Sequence, residues 1–236
     1  MAYLLSFRIE DGKIKGKLSA VGKAPAYNQD TAEFEGTVDK NTAQAQLVND
    51  SRGNKGTIQI VYKPDNTLEA TITLTEKSSD PVMTIPEGTF EFAPYNLKNI
   101  TGFAIIEDQT FMADLDSWGN VQFVSGKLTA GDHVPVEFYL TNKNGDILYF
   151  FNATLPYSVD VQAVSFEDVN KDGLKDVIII VADNSDGASG GPAVATVYLQ
   201  QADGSFANDY QLDQELNDSG NNKDIGAITS YLSSKF

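Results

Sequence analysis

Over its first 75 residues the chain alternates apolar and polar side chains with a period of two. That rhythm admits little besides antiparallel strands. Ile14, Gly16, Leu18, Ala20 and Gly22 fall on one side of an extended segment, while Lys13, Lys15, Lys17 and Ser19 fall on the other. Leu68, Ala70, Ile72 and Leu74 alternate likewise with Thr67, Glu69, Thr71, Thr73 and Thr75. Neighbouring side chains of a strand point to opposite faces, so each such segment buries one face and wets the other. The pattern recurs over residues 3–10, 31–39, 42–48 and 56–63. Turn signals lie between: Asp11-Gly12, Asp39-Lys40-Asn41, Arg52-Gly53-Asn54 and Pro64-Asp65-Asn66. The expectation for residues 1–75 is an antiparallel β-meander that curls into a barrel or half-barrel.

Composition shifts after Thr75. Glu76-Lys77-Ser78-Ser79-Asp80 is polar, and Pro81, Pro86 and Pro94 follow at intervals that no helix or central strand tolerates. Residues 76–99 read as a linker or extended crossover, with Phe90, Phe92 and Tyr95 docking part of it on a folded unit. Residues 100–236 begin as β. Phe111, Ala113 and Leu115 alternate, and residues 134–141 and 146–155 form a hairpin across Asn144-Gly145. They end as α. Ile225, Ile228 and Leu232 recur at helical spacing, with Asn221-Asn222 as the expected N-cap, and Leu212 and Leu216 mark a shorter helix. An α+β sandwich-like domain with a C-terminal helix follows from this order.

Within that second unit lies the densest chemical signal, Asp168-Val169-Asn170-Lys171-Asp172-Gly173-Leu174-Lys175-Asp176. Oxygen-bearing side chains occupy loop positions one, three, five and nine, with glycine at six, which is the spacing a Ca²⁺ ion takes from a tight loop. Leu174, at position seven, would offer its backbone carbonyl. An EF-hand would continue into a helix and carry a bidentate Glu at position twelve. Here position twelve is Ile179, inside a β-branched run that reads as a buried strand. Asp176 must then close the coordination sphere from the first residue of that strand.

This loop-then-strand form resembles the calcium loop of FG-GAP and VCBS-type repeats, found in integrin-like propellers and bacterial surface proteins. The likeness runs from Val164 to Val181 and includes Phe166 before the loop. It implies a single Ca²⁺ held by Asp168, Asn170, Asp172, the Leu174 carbonyl and Asp176. It does not imply a propeller, because a propeller repeats its blade at a fixed period and the chain holds one good copy. Asn142-Lys143-Asn144-Gly145-Asp146 lacks the spaced carboxylates and reads as a hairpin turn. The combination of units also resembles exported proteins of Gram-positive bacteria.

Composition and charge narrow the function classes. At 41% hydrophobic residues, with 13 Phe and 10 Tyr, the chain can build a core, so wholesale disorder is excluded. No segment approaches the roughly 20 apolar residues of a membrane span. Residues 1–99 carry a net charge of −2 and residues 100–236 a net of −14. An acidic second half repels phosphate backbones and anionic head groups, so neither nucleic acid nor a lipid surface is the expected partner. The chain has no cysteine and one histidine, His133, which excludes thiolate zinc sites and histidine-rich metal catalysis. No nucleophile elbow or Walker motif is present. Glu33 and Glu35 share a strand face with solvent as their expected partner, and the glycine-rich stretch Gly187-Ala188-Ser189-Gly190-Gly191 reads as a hairpin loop.

The reading is therefore a non-catalytic extracytoplasmic module of structural or adhesion type, stabilised by one Ca²⁺. Its partner would be a cell-surface protein or glycan. Met1-Ala2 leads straight into a strand pattern, as in a chain whose export signal has been trimmed, and a loop of this kind would be empty at cytosolic calcium. Both place the protein outside the cell or on its surface. The alternative is a glycan or small-ligand binder using the N-terminal unit, with Tyr27, Tyr62 or Trp118 as stacking platforms, or Lys13, Lys15 and Lys17 facing an anionic polymer.

Overall fold

The computed structural model describes residues 2–21, 29–79, 84–129, 135–152, 155–187 and 189–236. Gly22, Tyr27, Asp80, Pro81, His133 and Ala188 lie outside them. The fold is mainly β, with 55% strand and 11% helix, and divides into two compact units, Met1–Pro94 and Tyr95–Phe236.

In the first unit seven strands run antiparallel in sequence order: β1 (Ala2–Glu10), β2 (Lys13–Val21), β3 (Gln29–Asp39), β4 (Thr42–Asp50), β5 (Lys55–Tyr62), β6 (Leu68–Glu76) and β7 (Gly88–Phe92). Glu10 pairs with Lys13, so Asp11-Gly12 is a two-residue hairpin loop. Both residues have positive φ (49° and 72°), the turn that matches strand twist. The sheet curls into a half-barrel around its apolar face. Ile14, Leu18, Phe34, Ile58, Ile72 and Ile85 are almost wholly buried there. Gly16 leaves room for a core ring: a methyl group added there would lie 2.5 Å from the Phe34 ring.

Gly88–Phe92, inside the stretch read as linker or crossover, pairs with β6 as the seventh strand. Its Phe90 and Phe92 pack on the same core. The chain just before β7 is held to the end of the half-barrel by buried polar groups. Asp30 accepts hydrogen bonds from the Ile85 N–H (3.0 Å) and the Ser51 hydroxyl. Asn54 donates to the Thr84 hydroxyl and accepts from the Ser78 N–H.

The second unit is a sandwich of two sheets with helices on one outer face. The first sheet contains β8 (Phe103–Ile105), β9 (Phe111–Leu115), β10 (Gly119–Leu128), β11 (Val136–Thr141) and β12 (Ile147–Phe151), with β10 flanked by β11 on one side and by β8 and β9 on the other. The second runs in order through β13 (Val159–Glu167), β14 (Asp176–Asp183), β15 (Ala193–Gln200) and β16 (Phe206–Asn208). Helices α1 (Tyr210–Asp218) and α2 (Ile225–Ser233) close the chain. β14 explains its own composition. Val177, Ile179 and Val181 face the core between the sheets with Phe123, Phe138 and Phe151, while Ile178 and Ile180 face Leu216, Ile228 and Leu232 of the helices. A strand buried on both faces shows no alternation.

The start of α2 departs from the expected cap. The N-cap is Asp224, whose carboxylate accepts from the Ala227 N–H. Asn222 instead donates its amide to the Ala193 carbonyl and to Asn217, so a tertiary contact takes the residue that local sequence offered as a cap.

Candidate metal centre

Glu167 pairs with Asp176 across β13 and β14, so residues 168–175 are the whole connection between two long strands. A turn that tight needs two left-handed residues, supplied by Lys171 (φ 62°) and Gly173 (φ 88°). Its polar side chains turn inward onto the loop's own backbone. The Asp168 carboxylate accepts from the N–H groups of Asp172 (3.1 Å) and Gly173 (3.0 Å). Asp172 accepts from the Leu174 N–H (2.8 Å) and the Asn170 amide (2.9 Å). The Asn170 oxygen accepts from the Asp172 N–H (3.1 Å). Leu174 is half-buried, while Asp168 and Asp172 are exposed.

Asp176 differs from these. It is fully buried, and its two oxygens accept from the N–H groups of Val169 (3.0 Å) and Gln200 (2.8 Å). One carboxylate thus joins the loop's entrance, the start of β14 and the end of β15. Burial pushes the Asp176 carboxyl up to about 6; the two N–H bonds oppose that shift, and the charges of Asp172 and Asp168 add to it. The charges of Asp168 and Asp172 are therefore felt at Asp176.

Sequence reasoning missed the supports around the loop. Asp116, in the turn between β9 and β10, accepts from the Lys175 N–H (2.8 Å), and the Lys175 ammonium donates to the Asp114 carbonyl (2.8 Å). Gln200, fully buried, is oriented to donate to the Lys175 carbonyl (2.9 Å) and to accept from Ser117. Lys171 donates to the Ser233 carbonyl at the end of α2 (2.7 Å). These partners lie 24 to 62 residues away along the chain, beyond the reach of any local pattern.

The donor set is all oxygen, which suits a hard divalent cation such as Ca²⁺. Among the described residues, however, no three His, Cys, Asp or Glu side chains are gathered as a metal cage. The loop's oxygens instead satisfy its own N–H groups. An ion would have to draw Asp168, Asp172 and Asp176 together.

Several of the other candidate groups among the described residues have structural partners. Lys15 and Lys17 pair with Glu35 (3.0 Å) and Glu33 (3.2 Å), so these glutamates face lysines rather than solvent alone. The Trp118 N–H donates to the Gly204 carbonyl (2.7 Å), and its ring meets Tyr149. Tyr62 donates to Asn66. In the glycine-rich loop, the Asn184 side chain accepts from the N–H groups of Gly190 and Gly191. A groove of about 360 Å³ runs beside β15, lined by Leu155, Thr196, Asn208, Tyr210, Asp213 and Gln214 among others. Its innermost carboxylate, Asp213, is already engaged by the Val197 N–H, the Thr196 hydroxyl and the Asn208 amide. Comparisons with protein-family models, curated proteins and solved structures found no match.

Proposed function

We propose that this chain is a non-catalytic extracytoplasmic module of structural or adhesion type, with one Ca²⁺ bound in the 168–176 loop. The observation that carries the reading is the loop itself. Four oxygen-bearing side chains share a single tight turn at calcium-loop spacing, and the last of them, Asp176, is buried at its base. Asp168, Asn170, Asp172, the Leu174 carbonyl and Asp176 would hold the ion. The ion would supply positive charge to the three carboxylates of the loop, and so rigidify the junction of β13, β14 and α2. No helix in the described residues is long and apolar enough to cross a membrane. The close-packed half-barrel of the first unit supports a structural role over a ligand carried inside it.

Extracellular calcium modules bind at about 10⁻⁴–10⁻³ M, too weakly to fill in a cytosol. That is the reason for assigning the protein to the outside or surface of a cell, with a surface protein or glycan as its partner. Calorimetric titration with calcium tests the site: one ion per chain is expected, and Asp172→Ala should abolish the heat. Equal heats for parent and variant, or none for the parent, would remove the site and the localisation drawn from it.

A further inference from the structure

The edges of the sheets are treated very differently in this molecule. A strand edge exposes unpaired N–H and C=O groups and recruits other strands unless it is short, charged, interrupted by proline or covered. The part of β15 that β16 does not pair is covered: Asn217 donates to the Ala195 carbonyl and accepts from the Ala195 N–H, while Asp213 and Asn208 take the Val197 N–H and carbonyl. β12 is met by the chain at Tyr95, whose carbonyl accepts from the Ile147 N–H. β7 is five residues long and sits between Pro86 and Pro94.

β1 is neither short nor interrupted by proline. It is nine residues long, paired along its whole length to β2 on one side. Among the described residues, no hydrogen bond reaches its other edge. Its sequence, Tyr3-Leu4-Leu5-Ser6-Phe7-Arg8-Ile9-Glu10, is apolar, with both charges at one end. Leu4 is 45% exposed and Ile9 51%, whereas Ile14 and Leu18 of the adjacent strand are buried to 1% or less. Leu5 and Phe7 point to the core but are only partly covered by it. The Tyr3 ring meets Phe90 of β7 (5.5 Å), a side-chain contact at the foot of the strand.

We propose that this free edge pairs antiparallel with β1 of a second copy of the chain, about a two-fold axis through Phe7. The register follows from the residues. A shift of one residue would set core-facing side chains against outward ones. With Ser6 on the axis the pairing would need Tyr3, already packed on Phe90; with Arg8 on the axis it would oppose two like charges. With Phe7 on the axis, Leu5 stands against Ile9 of the second copy, Ser6 against its Arg8, and Leu4 against its Glu10. Both exposed apolar residues of β1 are then covered, and no like charges meet. Pairing of this kind does not depend on calcium.

The chain has no cysteine, which makes the test clean. Sedimentation at about 100 µM, enough to populate an interface with a micromolar dissociation constant, should give a dimer. Ile9→Lys should give a monomer with an unchanged circular-dichroism spectrum. Ser6→Cys combined with Arg8→Cys should form a covalent dimer on mild oxidation, while each single variant should not. A monomeric parent would overturn the proposal and leave the edge to a strand of another protein. So would a dimer that survives Ile9→Lys, or cross-linking by Ser6→Cys alone.

Discussion

Asp176 is the residue on which the centre turns, because it satisfies two backbone N–H groups from places 31 residues apart in the sequence, Val169 and Gln200. Removing it leaves both donors buried and unpaired, each at about 1–3 kcal/mol. Asp176→Ala should therefore lower stability by roughly 2–5 kcal/mol, measurable by urea unfolding; a loss under 1 kcal/mol would contradict that role. Its pH signature has a definite sign. The folded carboxyl titrates at about 6, above the ordinary 3.8, so the folded state binds the proton more tightly than the unfolded chain. In chelator, the stability Asp176 confers relative to Asp176→Asn should fall as pH rises from about 4 to about 6, by on the order of 2–3 kcal/mol. A difference that grows over that window would refute the burial argument. The five candidate ligands could be read from spacing alone. Asp116 and Gln200 could not, because only the sandwich brings the β9–β10 turn and the end of β15 to the loop.

At the scale of elements, the second sheet depends on side chains acting as a substitute strand. Asn217 presents an amide that mimics a neighbouring backbone to Ala195, and Asp213 does half of this for Val197. Asn217→Ala should speed amide exchange at Ala195 at least tenfold and cost about 1–3 kcal/mol. Unchanged exchange there would mean the clamp is not needed. Alternation alone made six strands of the first unit legible, since each had one wet face. β7 was hidden because it is short and framed by prolines, which are ordinary marks of a loop. The two helices announced themselves by apolar spacing. The cap of α2 did not, because Asn222 is recruited by Ala193 across the fold.

For the whole molecule, the excess charge and the candidate metal ligands belong to the same unit. Residues 100–236 carry −14 of the −16 total, and every candidate ligand lies within Tyr95–Phe236. Calcium should slow amide exchange in the loop, in β13 and β14, and at the end of α2, which Lys171 ties to it. It should leave β2–β6 unchanged. The mainly β character and the half-barrel followed from periodicity. The seam between linker and first unit did not, because β7 carries the first unit on to residue 94.

The most direct measurement is the melting temperature in chelator and in about 2 mM calcium, for the parent and for Asp172→Ala. With affinities of about 10⁻⁴–10⁻³ M, mass action stabilises the filled form by roughly 0.6–1.8 kcal/mol, a rise of a few degrees for a unit of this size. The parent should show that rise and Asp172→Ala should not. A parent that melts at the same temperature with and without calcium would contradict a calcium-stabilised second unit.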